Sequence, residues 1–373
     1  MPSAPRERRS NVAWSPRSAA SSPQPDSSSH PAPDVAAGGR VRSATISGLG
    51  CAVPDRILSN DDLARMVDTS HEWIVERTGI VERRIAGPDQ ATSDLAIPAA
   101  HRALADARLA PEAIDLVICA TVTPDHPFPA VASLVQHAIG ARHAAAFDLA
   151  AGCSGFIYGL AVGAQFIASG LYRHVLVVGA ETLSRIVDWT DRATCVLFGD
   201  GAGAAVLSPA APGHGFLAFD LGSDGSGASL LYVEAGGSRH PASHETVERR
   251  AHTIRMNGRE VYKWAVNIVA DSTLAALRRA ELSVEQVDCF IAHQANLRII
   301  EGAARRLGIP PERIVVNLER YGNTSAASIP LALEDARRCG RLAPGAVVVM
   351  VGFGAGLSWA ATVMRWGDPA PTT

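Results

Sequence analysis

The chain has 373 residues, of which 47% are hydrophobic and 19% are charged. This length and composition allow a large buried core and two packed domains, as in a globular enzyme. The formal net charge of -3 excludes a surface that attracts nucleic acid or an anionic membrane as a whole. Every long apolar stretch is interrupted by charges or helix breakers, so the sequence predicts no membrane span.

The six cysteines stand far apart, without C-x-x-C or the Cys/His spacing of a zinc site. We therefore expect neither a structural metal nor a disulfide framework. Because the sequence shows no secretory signal, we expect a reducing cytoplasm, in which one thiol can act as a nucleophile.

Composition and pattern divide the chain into five segments. Residues 1–40, rich in Ser, Pro, Ala and Arg, are predicted to be disordered, with a transit peptide as the alternative. We expect an N-terminal half at 41–210, a connecting or covering segment at 211–255, a C-terminal half at 256–368 and a tail at 369–373.

The regular part opens with a strand at ATISGLGCAVP and one helix over DDLARMVDTSHEWIVERTG. Helices then alternate with short apolar runs that are bounded by Gly or Pro, as buried strands are. These runs are DLVICATVT, HVLVVGAE, CVLFGDGAGAAVLS and AVVVMVGFGAG. The alternation predicts a layered α/β fold.

The two halves of the chain repeat each other. FDLAAGCSGF and the helix after it are echoed by VNLERYGNTSAASI and its helix, each between two strands. This pairing puts Cys153 and Asn323 in equivalent turns, to within a residue. Two similar halves about a pseudo-twofold axis bring such turns together, so we expect a site at their seam.

Three residues are candidates for that site. Cys153 precedes a predicted helix, whose N-terminal N–H groups and dipole are expected to lower the pKa of the thiol and make it a nucleophile. His293 ends an apolar strand, where α/β sites are built. Asn323 alone would be interpreted as a helix N-cap or a turn residue. A papain-like cysteine hydrolase uses the same residue types, but its C-G-[SA]-C-[WY] signature is missing.

Six motifs in order resemble ketoacyl-acyl carrier protein synthase III over residues 43–366; they are HEWIVERTGI, AAGCSGF, FGDGAGAAVL, HQANLRI, YGNTSAAS and GFGAGLSW. The resemblance implies a thiolase-like five-layered αβαβα fold, built from two pseudo-duplicated halves, in a homodimer. It implies that Cys153 takes a short acyl group from acyl-coenzyme A. His293 and Asn323 would then stabilise the enolate formed when malonyl-acyl carrier protein loses carbon dioxide, and the condensation would initiate fatty acid biosynthesis.

The resemblance also assigns supporting residues. The N–H of Ala355 would complete an oxyanion hole with that of Cys153, and Phe353 would pack beside the thiol. Coenzyme A would meet Trp73, Arg192 and Asn296. The acyl pocket would be closed by Leu357 and by Phe128 of a second subunit. The acidic carrier protein would dock on Lys263, Arg298, Arg305 and Arg306.

Two related readings remain open from the sequence. A synthase III-like enzyme of secondary metabolism would prime a polyketide or transfer an acyl group to oxygen or nitrogen. A non-catalytic subunit would bind carrier protein without turnover, but it would not need Cys153. No metal or cofactor is expected, because GDGAG and GFGAG do not fit the dinucleotide-binding pattern and acyl-coenzyme A is a substrate.

Overall fold

The computed structural model describes residues 43–370. The segment predicted to be disordered or a transit peptide, 1–40, lies outside the described residues, as do residues 371–373 of the predicted tail. The strands are β1 Ala44–Ala52, β2 Ile57–Ser59, β3 Glu82–Arg84, β4 Leu116–Ala120, β5 Ala145–Leu149, β6 Val175–Thr182, β7 Asp200–Pro209, β8 Gly215–Ser223, β9 Leu231–Val233, β10 Ile254–Met256, β11 Cys289–Ala292, β12 Val347–Gly354 and β13 Ser358–Arg365.

The helices are α1 Asn60–Ala64, α2 His71–Thr78, α3 Thr92–Ala107, α4 Val131–Ile139, α5 Gly155–Ala168, α6 Arg192–Cys195, α7 His244–Glu248, α8 Gly258–Arg279, α9 Leu297–Leu307, α10 Leu318–Tyr321 and α11 Ser328–Arg338. Two short 3-10 turns matter for the site, Gly152–Ser154 before α5 and Ser325–Ala327 before α11. No helix in this part of the chain combines the length and the apolar character that a membrane crossing requires.

Two sheets share one topology. The first has the order β1-β7-β6-β4-β5, in which β6, β4 and β5 are parallel and β7 runs against its neighbours. The second has the order β8-β13-β12-β11, with β12 parallel to β11 and β13 against its neighbours. Ile314 forms a parallel bridge to Phe290 beside β11, where β5 lies in the first sheet. The strand order that the two sheets share corresponds to the repeat between the two halves of the sequence.

The chain forms five layers, because alternate side chains of each strand pack on different helices. In β6, Val175 and Val177 face a middle layer formed by α5 and α11, and Leu176 and Val178 face α3 and α4. The second sheet packs one face on the same middle layer and the other on α8 and α9. This αβαβα arrangement confirms the predicted fold class. The central strands of both sheets, such as β4, β6 and β12, are buried on both faces, which explains their continuous apolar runs.

The predicted helix over 61–79 is wrong, because the chain forms two helices there. Ser70 lies between them and accepts the N–H of Trp73, at 3.1 Å, as the N-cap of α2. A serine that caps a new helix competes with continuation of the old one. The break turns α2 independently of α1 and places Trp73 on a separate short helix.

The segment 211–255 is more than a connection, which corrects the sequence prediction. It supplies β8, the edge strand of the second sheet, which pairs with β13. The strand was missed because the segment around it is rich in Gly, Ser and Pro, and because the side chains of the strand alternate irregularly between buried and exposed. The rest of the segment contains β9, α7 and β10.

The two repeated turns match in backbone angles. Gly152 and Ser325 both have positive φ, 53° and 48°, and each is followed by two residues that lead into a helix. In this register Cys153 corresponds to Ala326, and Asn323 lies earlier in its turn. The expected equivalence of Cys153 and Asn323 to within a residue is therefore wrong. Asn323 lies on the strand side of its turn and Cys153 on the helix side.

The middle layer should dominate stability. Leu160 in α5 is fully buried between the sheets, whereas Leu171, just beyond the same helix, is 52% exposed. We expect Leu160→Ala to lower the free energy of unfolding by about 2–5 kcal/mol, because it leaves a cavity. Leu171→Ala, the matched control, should change it by less than about 0.5 kcal/mol. Urea unfolding of both variants measures this, and equal losses would contradict the layered core.

Candidate active site

A cavity of about 660 Å3 lies at the seam between the halves. Cys153, His293 and Asn323 all line it, as does Phe353. All four side chains are at least nine-tenths buried. The structure therefore brings together the three residues that the sequence singled out, although they are spread over 171 positions of the chain.

Glycine backbone holds the nucleophile turn against the hairpin between β12 and β13. A Cβ on Gly152 would lie 3.1 Å from the carbonyl oxygen of Ala355, and its φ of 53° also favours glycine. A Cβ on Gly354 would lie 3.0 Å from the Cys153 sulfur. The two glycines therefore let the C-terminal hairpin touch the thiol turn.

The Cys153 thiol is neutral at rest. Burial raises its pKa to about 12, and the negative charge of Glu181 adds to that rise. A hydrogen bond from the Ser325 side chain and the N–H of Cys153 itself act in the opposite direction. The expectation that the helix N-terminus leaves this thiol with a lowered pKa is wrong, because desolvation of the charged form outweighs the local donors.

His293 is a neutral hydrogen-bonding group at the end of β11. It is 1% exposed, and burial lowers its pKa to about 3. Its Nδ1 lies 2.6 Å from the Ser328 hydroxyl, which also accepts the N–H of Gln294 at 3.4 Å. We assign to His293 the tautomer in which Nδ1 accepts the proton of the Ser328 hydroxyl and Nε2 carries the ring proton as a donor.

Asn323 is held by three contacts on one side. Its N–H donates to the carbonyl of Leu197, at 2.8 Å, and its Oδ1 accepts the N–H of Ser325, at 2.9 Å. Since Oδ1 is engaged in the turn, the amide nitrogen is left as the second donor of the cavity. Gly199 N–H in turn donates to the Asn323 carbonyl, at 3.0 Å. The bond from the Ser325 N–H to Oδ1 is the turn bond expected of an asparagine at this place, although the N-cap position of the 3-10 turn itself is Thr324.

The hairpin residues lie where the resemblance assigned them. Ala355 follows β12, and its φ is not positive, so alanine is tolerated there. Phe353 is 2% exposed and meets the His293 ring edge to face, with centroids 5.2 Å apart. It also contacts Trp264 in the same way, which fixes the wall of the cavity.

At the outer end of the cavity, two arginine side chains stack on Trp73, and the sequence singled out only one of them, Arg192. The guanidinium of Arg192 lies 4.9 Å from the centre of the Trp73 ring, and that of Arg77 lies 4.8 Å from it. A flat ring between two stacking partners needs about 7 Å. Arg192 must therefore move before an adenine can enter between it and Trp73. Arg77 was missed, although it stands four residues after Trp73 on the same helix.

Asn296 lines the cavity as the N-cap of α9. Its Oδ1 accepts the N–H of Arg298, at 2.9 Å, and its Nδ2 donates to the carbonyl of Arg77, at 3.0 Å. Both ends of the side chain are therefore used to join α9 to α2. Its place on the cavity wall agrees with the resemblance, but its hydrogen bonds are structural.

The structure divides the four predicted carrier-binding cations. Lys263 and Arg298 line the cavity mouth, together with Arg259, which the sequence did not single out. Arg305 and Arg306 lie further along α9 and face Glu301 and Asp271, at 3.8 and 3.5 Å. Lys263 also pairs with Glu260, at 2.9 Å. Within residues 43–370, Arg259 and Arg298 have no ion-pair partner.

Phe128 and Leu357 lie in contrasting environments. Phe128 is 85% exposed, in the loop before α4, and Leu357 is 3% exposed, in the hairpin after Ala355. Leu357 packs on Gly227, where a Cβ would come within 2.6 Å of the leucine side chain. Phe128 therefore closes nothing within this chain.

The layered fold and the Cys, His and Asn cavity define a thiolase-like condensing enzyme, which is an acyltransferase. The family described as 3-oxoacyl-[acyl-carrier-protein (ACP)] synthase III matches residues 147–225, and its C-terminal counterpart matches residues 277–366. A beta-ketoacyl-[acyl-carrier-protein] synthase III of Desulfitobacterium hafniense is 58% identical over 324 residues, which are 87% of this chain and 98% of that protein.

Solved structures agree. The synthase III of Thermus thermophilus is 51% identical, with a TM-score of 0.82 over 87% of this chain and 99% of that one. The priming β-ketosynthase of the R1128 polyketide pathway is 38% identical, with a TM-score of 0.81 over 90% of this chain and 100% of that one. This chain belongs to the 3-oxoacyl-[acyl-carrier-protein] synthase III family and is a condensing enzyme of the kind that initiates fatty acid synthesis. The readings as a cysteine hydrolase and as a non-catalytic subunit are wrong.

Burial of neutral His293 should make the fold sensitive to acid. An imidazole whose pKa falls from the usual 6.5 to about 3 on folding binds its proton more readily in the unfolded chain, so stability is lost as pH falls below 6.5. We expect this group to cost about 2 kcal/mol between pH 7 and pH 5.

Denaturant unfolding at both pH values tests this expectation. His293→Gln should lose less stability than the wild type over that interval. The matched control is His244→Gln, since His244 is exposed, and it should behave as the wild type does. A wild-type loss that His293→Gln does not reduce would contradict the assignment of a neutral, buried imidazole.

Proposed function

We propose that this enzyme acylates Cys153 from a short acyl-coenzyme A and condenses the acyl group with malonyl-acyl carrier protein. The observation that carries the proposal is the shared cavity of Cys153, neutral His293 and the free amide nitrogen of Asn323. One side of that cavity offers a nucleophile and the other offers two donors that carry no charge. Neither step draws on a metal or an organic cofactor, and acyl-coenzyme A enters as a substrate.

In the first step the Cys153 sulfur attacks the thioester carbonyl. The tetrahedral intermediate places a negative oxygen near the Cys153 turn, which contacts the backbone of Ala355 across Gly152. The N–H groups of Cys153 and Ala355 are the proposed donors to that oxygen. The bond to the coenzyme A sulfur breaks, coenzyme A leaves as a thiol with the proton that Cys153 gives up, and the acyl group remains on Cys153.

In the second step His293 and Asn323 hold the thioester carbonyl of the malonyl group. Loss of carbon dioxide turns that carbonyl into an enolate oxygen, which accepts hydrogen bonds from His293 Nε2 and Asn323 Nδ2. A pKa of about 3 keeps His293 uncharged at neutral pH, so it donates this hydrogen bond as a neutral imidazole. The carbanion attacks the acyl carbon on Cys153, the bond from that carbon to the Cys153 sulfur breaks, and the β-ketoacyl product leaves while the thiolate takes up one proton from solvent. Fixed donors of this kind are each worth about 3 kcal/mol of barrier in acyl-transfer enzymes.

The cavity mouth supports binding of anionic substrates. Trp73 with Arg192 and Arg77 offers a stacking surface for adenine, once Arg192 leaves the ring and its bond to the carbonyl of Asp68. The cations Lys263 and Arg298 face the same opening, and we propose that they attract the acidic carrier protein. We expect a smaller contribution from Arg305 and Arg306, which lie further along α9 and do not line the opening.

We propose that the enzyme is a homodimer. Phe128 is 85% exposed, and β5, which is the edge of the first sheet, carries the partly exposed Phe147. Large exposed aromatic side chains beside an open sheet edge are typical of a surface that a second copy covers. In such a dimer Phe128 would reach the acyl pocket of the partner, near Leu357.

We also propose the cytoplasm as the compartment of this enzyme, because its six cysteines are free thiols.

Priming of a polyketide is the second candidate function. The 38% identity to the R1128 priming β-ketosynthase favours it, and the 58% identity to curated fatty acid enzymes favours the first. The two candidates share both chemical steps and differ in the carrier protein. Discharge of the acyl-enzyme by malonyl groups on fatty acid and polyketide carriers, measured side by side, separates them.

Intact mass spectrometry tests the proposed chemistry. We expect a single acyl adduct after incubation with one member of a panel of acyl-coenzyme A thioesters, and none with Cys153→Ala. Cys119→Ala is the matched control, because Cys119 is buried in the outer core away from the cavity, and it should still be labelled. Malonyl-acyl carrier protein should discharge the adduct as a β-ketoacyl product. A wild-type protein that no thioester labels would refute the proposal.

Asn323→Asp separates the two steps. The substitution keeps the oxygen that accepts the Ser325 N–H and removes the nitrogen donor. We expect decarboxylation of malonyl-acyl carrier protein to fall about 100-fold to 1000-fold, with adduct formation at Cys153 retained. The control is Gln165→Glu, the same change from amide to acid on the exposed side of α5, and it should leave both rates unchanged. Equal losses in both steps would contradict a donor role that is confined to decarboxylation.

A further inference from the structure

A buried arginine beside the active site has no part in the steps above. Arg83 on β3 is 0% exposed. Its three hydrogen bonds within residues 43–370 go to neutral oxygens, which are the carbonyls of Leu58, at 3.1 Å, and Val196, at 2.8 Å, and the side-chain oxygen of Asn60, at 2.9 Å. A buried charge is normally paired with an opposite charge, because its desolvation is costly. Burial lowers the pKa of Arg83 to about 10, so the guanidinium remains charged at neutral pH and its place calls for a reason.

The guanidinium holds one end of a segment that lines the cavity. We call residues 196–199 the support segment; three of them, Val196, Leu197 and Phe198, line the cavity. Val196 is also the C-cap of α6. The bond from Arg83 to the Val196 carbonyl therefore fixes the point at which the chain leaves this helix and enters the cavity wall.

The support segment in turn holds Asn323. Phe198 and Asn323 form a parallel bridge. In that bridge the N–H of Asn323 donates to the Leu197 carbonyl, at 2.8 Å, and the N–H of Gly199 donates to the Asn323 carbonyl, at 3.0 Å. Both main-chain groups of Asn323 are therefore bonded to the support segment, and a shift of that segment moves the amide nitrogen of Asn323.

Arg83 also packs directly on this bridge. A Cβ on Gly199 would lie 3.0 Å from the Cβ of Arg83, and one on Gly322 would lie 3.2 Å from it. Gly322 precedes Asn323, and its added Cβ would also lie 2.8 Å from the Leu197 carbonyl oxygen. Arg83 therefore contacts the bridge through its Cβ as well as through its guanidinium.

The support segment is bonded to only one of the three cavity residues. Among the hydrogen bonds of residues 43–370, none joins it to Cys153 or to His293. A change at Arg83 should therefore displace the donor of the second step and leave the nucleophile of the first step in place.

We propose that Arg83 is a positioning residue for decarboxylation, which fixes the support segment and thereby aims the amide nitrogen of Asn323 at the thioester carbonyl of the malonyl group. This inference rests on the proposed function. Arg83 itself touches no substrate. It acts through two links, from its guanidinium to the Val196 carbonyl and from the support segment to the main chain of Asn323.

The test measures the two chemical steps separately. The acyl-enzyme is formed with the acyl-coenzyme A that labels the wild type, freed of coenzyme A, and then discharged with malonyl-acyl carrier protein, and intact mass follows both steps. In Arg83→Met we expect the maximal rate of discharge to fall about 10-fold to 100-fold, because a misplaced donor stabilises the enolate poorly. The rate of acylation and the concentration of malonyl-acyl carrier protein that gives half the maximal rate should stay as in the wild type.

A loss confined to acylation would overturn the inference. It would place the effect of Arg83 on coenzyme A binding through Arg192, which stands at the other end of α6. Discharge of a preformed acyl-enzyme needs no coenzyme A, so it does not report on Arg192.

A second substitution shows whether the effect passes through Asn323. Asn323→Asp already lacks the nitrogen donor, so adding Arg83→Met should not slow its discharge further. A general loss of rigidity would instead multiply with the loss from Asn323→Asp. Multiplied losses in the double variant would therefore overturn the inference.

Arg313→Met is the matched control. Arg313 also donates to two main-chain carbonyls, those of Glu285, at 2.7 Å, and Val287, at 2.8 Å, and none of these three residues lines the cavity. Both steps should proceed in this variant as in the wild type, and a loss of discharge as large as in Arg83→Met would overturn the inference. If Arg83→Met does not fold, Arg83→Lys takes its place under the same criteria, because lysine keeps the buried charge and loses the forked geometry.

The same experiment distinguishes this inference from the proposed function. A wild-type protein that no thioester labels, or whose adduct malonyl-acyl carrier protein does not discharge, would overturn both. Normal turnover of the wild type, with unchanged discharge or equal losses in both steps in a folded Arg83→Met, would overturn the inference alone.

Discussion

The close contact between the two strand-to-helix turns at the seam is the constraint on which the site depends. A Cβ on Gly179 of β6 would lie 2.3 Å from the carbonyl oxygen of Ala326, and one on Gly155, at the start of α5, would lie 3.8 Å from the Cβ of Ala326. Small residues at these positions let the backbones meet directly. Because the middle helices then begin side by side, Cys153 from one half faces the donors of the other half across one cavity.

This packing also sets the charge of the site. The side chains at the floor of the cavity are buried, and burial raises the pKa of Cys153 and lowers that of His293, so both are neutral. The mouth is different, because Arg259 and Arg298 lie there with exposed charges. A substrate with phosphates at one end and a thioester at the other meets charges that suit each end. The floor offers fixed dipoles, which need no reorganisation as negative charge develops.

The sequence predicted the layers, the repeat and the three cavity residues, because each leaves a local pattern of apolar runs, glycines or turn residues. The sequence did not predict the properties that depend on contacts between segments far apart in the chain. The pKa of Cys153 follows from burial by other segments, and the Ser328 bond to His293 joins residues 35 positions apart. The bond between Ser325 and Glu181 joins residues 144 positions apart. In the sequence, the sign of that bond is a glutamate at the end of the apolar strand in HVLVVGAE.

The neutral resting state of Cys153 also bears on oxidative damage. Peroxide attacks thiolates far faster than thiols, and successive oxidation of a catalytic cysteine ends in acids that cannot be reduced. A thiol with a pKa of about 12 presents almost no thiolate between turnovers. The burial that makes this sulfur a poor nucleophile at rest thus also shields it from oxidants, and its reactivity is confined to the moment when a thioester occupies the cavity.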